Sequence, residues 1–276
     1  AGGMLGAAIA NALLPAFGWR AVFGVAGALP CLLALAMYLL LPESPRFLSQ
    51  RAEAAAGGPA SAAARPGWGA LMKPAFRRST LGLGLAFFAS LAVSYAFFSW
   101  IPTMMVSLGY SGSIGIRASL LFNLFGALGA ALGGKLLSPF GGRIAPLTYV
   151  SIGITSMVLL TLLILGAGRG NADSGVLTGL LIGLSAAGIA NIGTQAALYG
   201  LAATAYPTEL RATGIGLAAS VGRTGALLSA YFGGAILSAG SGSSMFLALA
   251  GALYLLSGLG VLIVDRLPPR TRAGSA

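Results

Sequence analysis

Arg223 lies near the middle of an apolar segment running from Ala212 to Ser238, and no other charged residue of the chain is so placed. An ionised side chain deep in a bilayer is costly, so its presence calls for a partner or a bound ligand. A guanidinium presents a planar fork of donors that can grip a carboxylate at two points. The residues one turn away, Ala219, Ser220 and Ala226, are small and leave room for such a group. The alternative is a structural ion pair, but the acids fall elsewhere. Asp173, Glu209 and Asp265 stand at the edges of apolar runs, and Glu43 and Glu53 lie in a long connection. The chemistry expected here is capture of an anion. With no His and only Cys31, the chain cannot build a Ser/His/Asp triad, a His-based metal site or an internal disulfide, and no cofactor is called for.

Polar residues at helical spacing form a second layer of candidates. Asn191, Gln195 and Tyr199 recur every four residues and so share one helical face, as do Tyr95, Ser99 and Thr103, with Trp100 and Pro102 beside them. Asn123 is the carboxamide of the Arg117–Leu137 run. An amide in hydrocarbon needs a hydrogen-bond partner. Either it joins neighbouring helices, a contribution of about 0.6 to 2 kcal/mol, or it lines a polar cavity.

These residues must be held by membrane helices. The chain is 57% hydrophobic and 8% charged, with 43 Gly, whereas a soluble domain carries about a quarter charged residues. Apolar runs lie at Ala1–Ala16, Arg20–Leu41, Leu81–Leu108, Arg117–Leu137, Pro146–Ala167, Gly175–Ala203, Ala212–Ser238 and Ser244–Val264. Spanning takes about 20 residues, so the last seven qualify and the first reads as a truncated eighth. The chain starts inside that first run without a charged leader or cleavage motif. It is therefore not read as a signal peptide, and upstream sequence is expected.

Charge then sets orientation. The 42–80 connection holds Arg46, Arg51, Arg65, Lys73, Arg77 and Arg78, and Lys135, Arg143, Arg211, Arg266, Arg270 and Arg272 alternate onto the same side. Only Arg20, Arg117 and Arg169 face the other way. The positive-inside rule places the connection and the C-terminus in the cytoplasm. It also accounts for the net charge of +11 without nucleic acid. The division that follows is spans over 1–41, a cytoplasmic linker over 42–80, six spans over 81–266 and a tail over 267–276. The Ala/Gly/Pro/Ser-rich middle of the linker reads as flexible, and Leu71–Arg78 as a short amphipathic helix on the membrane surface.

Gly129-Ala-Ala-Leu-Gly-Gly134-Lys135-Leu136 comes close to a phosphate-binding loop. It has Leu where the motif needs Ser or Thr, and it ends a membrane helix rather than following a strand. Its glycines, like Gly175, Gly179 and Gly183, read as helix-packing positions.

Longer motifs carry a resemblance. Gly18-Trp-Arg-Ala-Val-Phe23, Gly27-Ala-Leu-Pro30 and Leu41-Pro-Glu-Ser-Pro-Arg-Phe-Leu48 resemble helices five and six of the major facilitator superfamily. Phe87-Phe88, Tyr95, Ser99-Trp-Ile-Pro102 and Asn123 are similar to helices seven and eight of its aromatic acid:proton symporters. Gln195, Tyr206-Pro-Thr-Glu-Leu-Arg-Ala-Thr-Gly214 and Gly222-Arg-Thr-Gly225 resemble the helix ten to eleven signature of that group. Sugar-porter marks are absent. The Gly134–Gly142 stretch lacks the Asp and first Arg of the family's loop motif. Leu217 stands where Trp is usual, and Ser229-Ala230 where Gly-Pro is usual.

The resemblance implies an all-α membrane fold with eight of twelve helices present, and proton-coupled uptake of a small aromatic carboxylate across a bacterial inner membrane by a monomer. Arg223 would bind the carboxylate, Asn191, Gln195 and Asn123 the ring substituents, and Tyr95 and Trp100 would stack on or close over the ring. Glu209, Arg211, Arg143, Glu43 and Arg46 would fasten the cytoplasmic face. The proton-carrying acids would lie on helices outside this chain. A carrier of another metabolite, such as a dicarboxylate or a sugar, or an efflux pump, is the alternative. A membrane enzyme finds no catalytic motif.

Overall fold

A computed structural model describes residues 2–41, 49, 68–133, 142–167, 174–238 and 242–265. The contacts divide the chain into two units, Ala1–Ala64 and Arg65–Ala276.

The first unit is built on α1, Gly2–Leu40, which is helical throughout except at Gly18, where φ is 71° and ψ 178°. A side chain is strained at such a φ, and this residue separates the two apolar runs read from the sequence. Just beyond it Trp19 meets Phe23 edge-on, and the Arg20 guanidinium lies 5.2 Å from the centre of the Trp19 ring.

The second unit contains six long helices: α2 (Pro74–Ser107), α3 (Gly112–Leu132), α4 (Ile144–Ala167), α5 (Ser174–Ala205), α6 (Thr208–Ser238) and α7 (Gly242–Ile263). The expected surface helix over Leu71–Arg78 is not formed. Trp68–Met72 is a 3-10 turn whose Leu71 is fully buried, and the chain enters α2 directly at Pro74. Proline suits a first helical position because that N–H has no intrahelical acceptor, so α2 starts seven residues before the apolar run does. It stops at Gly109, whose φ of 93° turns the chain out of the helix.

Six helices of the described chain are long and apolar enough to cross a membrane, where seven spans were expected. The helix that falls short is α6. It has 31 residues, about 46 Å at 1.5 Å per residue, but Glu209, Arg211, Arg223 and its several Ser, Thr and Gly residues dilute its apolar content. Its place in the fold comes from packing, because it lies along α2 as a principal neighbour.

The packing has an internal symmetry. Helix α2 contacts α6, α7 and α3, while α5 contacts α3, α4 and α6, and α4 meets α7. Exchanging α2–α3–α4 with α5–α6–α7 reproduces these contacts, although α6 also meets α7 whereas α3 does not meet α4 among the described residues, and this near-symmetry is in keeping with an internal three-helix repeat. Helices α2 and α5 are therefore central. Where helices cross, glycines allow backbone-to-backbone approach: a Cβ on Gly82 would stand 2.7 Å from the Gly260 carbonyl oxygen, and the reverse substitution is equally close. Gly179 and Gly183 face the side chains of Leu163 and Leu160, and Gly129 faces the backbone of Ile189. The near match to a phosphate loop thus starts on a packing glycine, and its residues from Gly134 lie outside the described residues.

The apolar core is in two parts. One is centred on Phe97, Met104, Phe122, Leu184 and Tyr254, the other on Leu71, Leu83, Phe87, Leu201 and Tyr206. On α2 the second part ends at Phe87 and the first begins at Val93. On α5 the first ends at Ala190 and the second begins at Leu198. Between them lie Ser90 on α2 and Asn191, Thr194 and Gln195 on α5.

Candidate functional site

The polar layer is carried by the middle turns of α2 and α5. Ser94 Oγ lies 2.9 Å from the Ser90 carbonyl oxygen and 2.9 Å from Asn191 Oδ1, and it accepts a hydrogen bond from Gln195 Nε2. Asn191 is fully buried and Ser94 nearly so, whereas Gln195 is half-buried. Around this node the Asn191 Nδ2, Ser90 Oγ and Thr194 Oγ1 atoms are buried without a partner. Each such group costs about 1–3 kcal/mol, so the layer is held at an energetic cost.

The four-residue stripe on α5 changes environment along its length. Asn191 is enclosed, Gln195 is at the boundary, and Tyr199 is 45% exposed with its ring edge-on to Phe87 at 5.0 Å. On α2, Tyr95, Phe98, Ser99 and Thr103 form an exposed face directly beside Ser94. Tyr95 meets Phe98 edge-on at 6.0 Å, and Phe98 leans on Phe122 of α3. This face combines aromatic rings with a polar edge.

Arg223 is the central residue of α6 and is exposed. Gly222 beside it packs on Leu91 and the Phe87 carbonyl, and Gly225 packs on Phe88. These contacts set Arg223 level with the α2 turn that precedes Ser94. Among the described residues Arg223 has no acidic partner. The ion pair formed there, Arg78 with Asp265 at 3.7 Å, lies at the ends of α2 and α7 and is largely solvent-exposed.

The remaining candidates are spread out. The Asn123 Nδ2 donates to the Ser119 carbonyl of its own helix at 2.9 Å and takes no part in the Ser94 node. Trp100 is partly buried. Its indole N–H donates to the Ala230 carbonyl at 3.2 Å, and its ring covers Gly233 and Gly234, so it joins α2 to α6. Arg143 and Arg211 each have a buried, unpartnered Nε near the start of α4 and α6. The Glu209 side chain, and Glu43 and Arg46 altogether, lie outside the described residues. An apolar cavity of about 340 Å³ between α2, α6 and α7, lined by Ala96, Ser229, Gly233 and Phe246 among others, contains none of the candidate residues.

Sequence reasoning missed Ser94, the residue that links the two amides. A lone serine in an apolar run carries no signal by itself. Its spacing of four from Ser90, on the helix that also carries Tyr95, was the available hint. The Tyr206–Gly214 motif also has a structural explanation. The Tyr206 ring lies over Gly214, and its hydroxyl donates to Thr80 Oγ1 at 3.0 Å, which in turn donates to the Leu71 carbonyl at 3.1 Å.

Membrane-length helices in an internal repeat, with polar side chains at mid-height and a cation that has no acidic partner among the described residues, describe a multi-pass helical membrane protein. Residues 1–198 match the family model described as Major Facilitator Superfamily, and the chain belongs to that family. Its curated relatives include a 3-(3-hydroxy-phenyl)propionate transporter of Escherichia coli, 34% identical over 76% of this chain and 46% of the relative. They also include a gallate transporter and the 4-hydroxybenzoate transporter PcaK, both of Pseudomonas putida. These are 32% and 31% identical, each over 84% of this chain and 54% of the relative. The chain spans about half the length of these curated relatives.

Proposed function

We propose that this chain is part of a carrier that moves small aromatic carboxylates into the cell together with protons. The observation that carries the reading is Arg223, a mid-helix guanidinium without an acidic partner among the described residues, level with a face of aromatic rings and amides. The relatives named above, transporters of ring-bearing acids, support the same substrate class. Arg223 holds the carboxylate. Tyr95 and Tyr199 offer ring contacts, Gln195 and Asn123 offer hydrogen bonds to ring substituents, Asn191 braces the node from behind, and Trp100 fixes the spacing of α2 and α6. The carrier works by alternating access around this mid-height site, as a monomer in the inner membrane with its C-terminus in the cytoplasm. There Glu209, Arg211, Arg143, Glu43 and Arg46 fasten the inner face.

The test is uptake of labelled 4-hydroxybenzoate by cells expressing the whole gene product, with and without a protonophore. Uptake is expected to collapse when the proton gradient is removed. Losing a charge-assisted hydrogen bond of about 1.5–3 kcal/mol in Arg223→Ala should raise KM about tenfold to a hundredfold. An unchanged KM in that variant removes Arg223 as the anchor.

A further inference from the structure

We infer that Gln195 is a hydrogen-bond acceptor on the open face, oriented by Ser94, and that it makes the site prefer aromatic acids whose ring carries a donor such as a hydroxyl. The inference rests on the carboxylate reading of Arg223 given above.

The argument follows the protons. Ser94 has one hydroxyl hydrogen, and two acceptors lie within reach of it, the Ser90 carbonyl and Asn191 Oδ1, both at 2.9 Å. With its donor used there, Ser94 can only accept from Gln195. A carboxamide has a donor end and an acceptor end, so Gln195 must turn its Nε2 to Ser94, as it does. Its Oε1 is thereby turned away and accepts no hydrogen bond among the described residues. Because Gln195 is half-buried while Ser94 and Asn191 are buried, the carbonyl oxygen is the end of this chain of bonds that a ligand can reach.

A desolvated carbonyl oxygen requires a donor. A ring hydroxyl supplies one. A bare ring or a methoxy group does not, and leaves the oxygen unpaired when water is displaced. A carboxylate is repelled by the same oxygen, so the acceptor also directs the acid end of the substrate away from Gln195. Ser94 is a positioning residue in this scheme. It touches the amide and not the substrate. Without its hydroxyl the amide is free to rotate and present either end.

The experiment measures inhibition of uptake by benzoate, 4-hydroxybenzoate, 4-aminobenzoate and 4-methoxybenzoate, in the whole gene product and in three variants. In the unaltered protein the two donor-bearing compounds are expected to bind about threefold to tenfold more tightly than the methoxy compound. Ser94→Ala should bring that ratio to about one, and Ser94→Thr, which keeps the hydroxyl, should retain it. An unaltered protein with no donor preference overturns the inference, and so does a Ser94→Ala variant that keeps one. Arg223→Ala separates the two readings. It should weaken all four compounds together with the ratio intact. If it leaves them untouched while the ratio depends on Ser94, the carboxylate anchor fails and the role of Gln195 stands.

Discussion

The seat of α6 on α2 can be tested with two glycines of the same helix. A Cβ on Gly225 would stand 3.1 Å from the carbonyl carbon of Phe88 and closer still to its oxygen, whereas a Cβ on Gly216 would meet nothing within 4 Å. Both Gly→Ala changes gain the same helix propensity, about 1 kcal/mol. That gain cancels between them, and the difference isolates the contact. The obstacle at Gly225 is backbone, which cannot turn aside as a side chain can. Helix α6 must therefore retreat by several tenths of an ångström, and overpacking of this kind costs about 1–3 kcal/mol. Paired unfolding in mixed detergent micelles should place Gly225→Ala below Gly216→Ala by about that amount, with Gly216→Ala at or above the unaltered protein. Because Arg223 lies two residues from the obstruction, Gly225→Ala should also raise the KM for substrate, and Gly216→Ala should not. Equal stability of the two variants would refute the close seat, and with it the level assigned to Arg223.

Two further outcomes follow from hydrogen bonds at the helix ends and crossings. Trp100→Phe keeps a ring over Gly233 and Gly234 but loses the bond to Ala230, so it should lower stability by about 0.5–1.5 kcal/mol in the same unfolding assay. Tyr206→Phe should cost a similar amount, about 1 kcal/mol, since Thr80 keeps its bond to Leu71. Burial raises the pKa of the Tyr206 hydroxyl above its ordinary value of 10.0, with the Thr80 bond opposing in part. The unfolded chain therefore ionises first, and this contribution is intact below pH 10 and fades as the pH rises past it. Unfolding measured across that range should show a smaller decline in Tyr206→Phe than in the unaltered protein.

The membrane helices were legible because apolar runs and basic connections are properties of single segments. The α2 boundary was not, since Lys73 to Arg78 look like surface residues until Leu71 is seen buried beneath the bundle. Conversely, α6 reads as a span in sequence although it is the least apolar of the long helices, and α2 holds it in place. In the candidate site, Arg223 and the α5 stripe stand out by type and spacing, because a cation or an amide in an apolar run is conspicuous in one dimension. Ser94 could not. Its importance comes from lying opposite Asn191 and Gln195, a relation across 97 residues of chain that no local pattern encodes. Trp100 shows the opposite limit of scale. An aromatic beside Pro102 suggests a ring for substrate, while the Gly233-Gly234 surface that receives it becomes visible only after α6 is docked.

On its α3 side, α5 reaches backbone contact at two points: Gly188 lies against the Phe122 carbonyl, and Gly129 of α3 against Ile189. Asn191 is one turn from Gly188 on the same helix. This arrangement limits how selectivity can diverge in descendants of the chain. Backbones already in contact cannot slide closer, and separating them loosens the packing at both glycines. On the proposed reading, substrate range would therefore change by exchanging side chains around Ser94 and Gln195, one polar group at a time. The mutational routes open to this site are few, and they run through residues that bond to one another, so single substitutions are expected to leave a partner stranded until a second one follows.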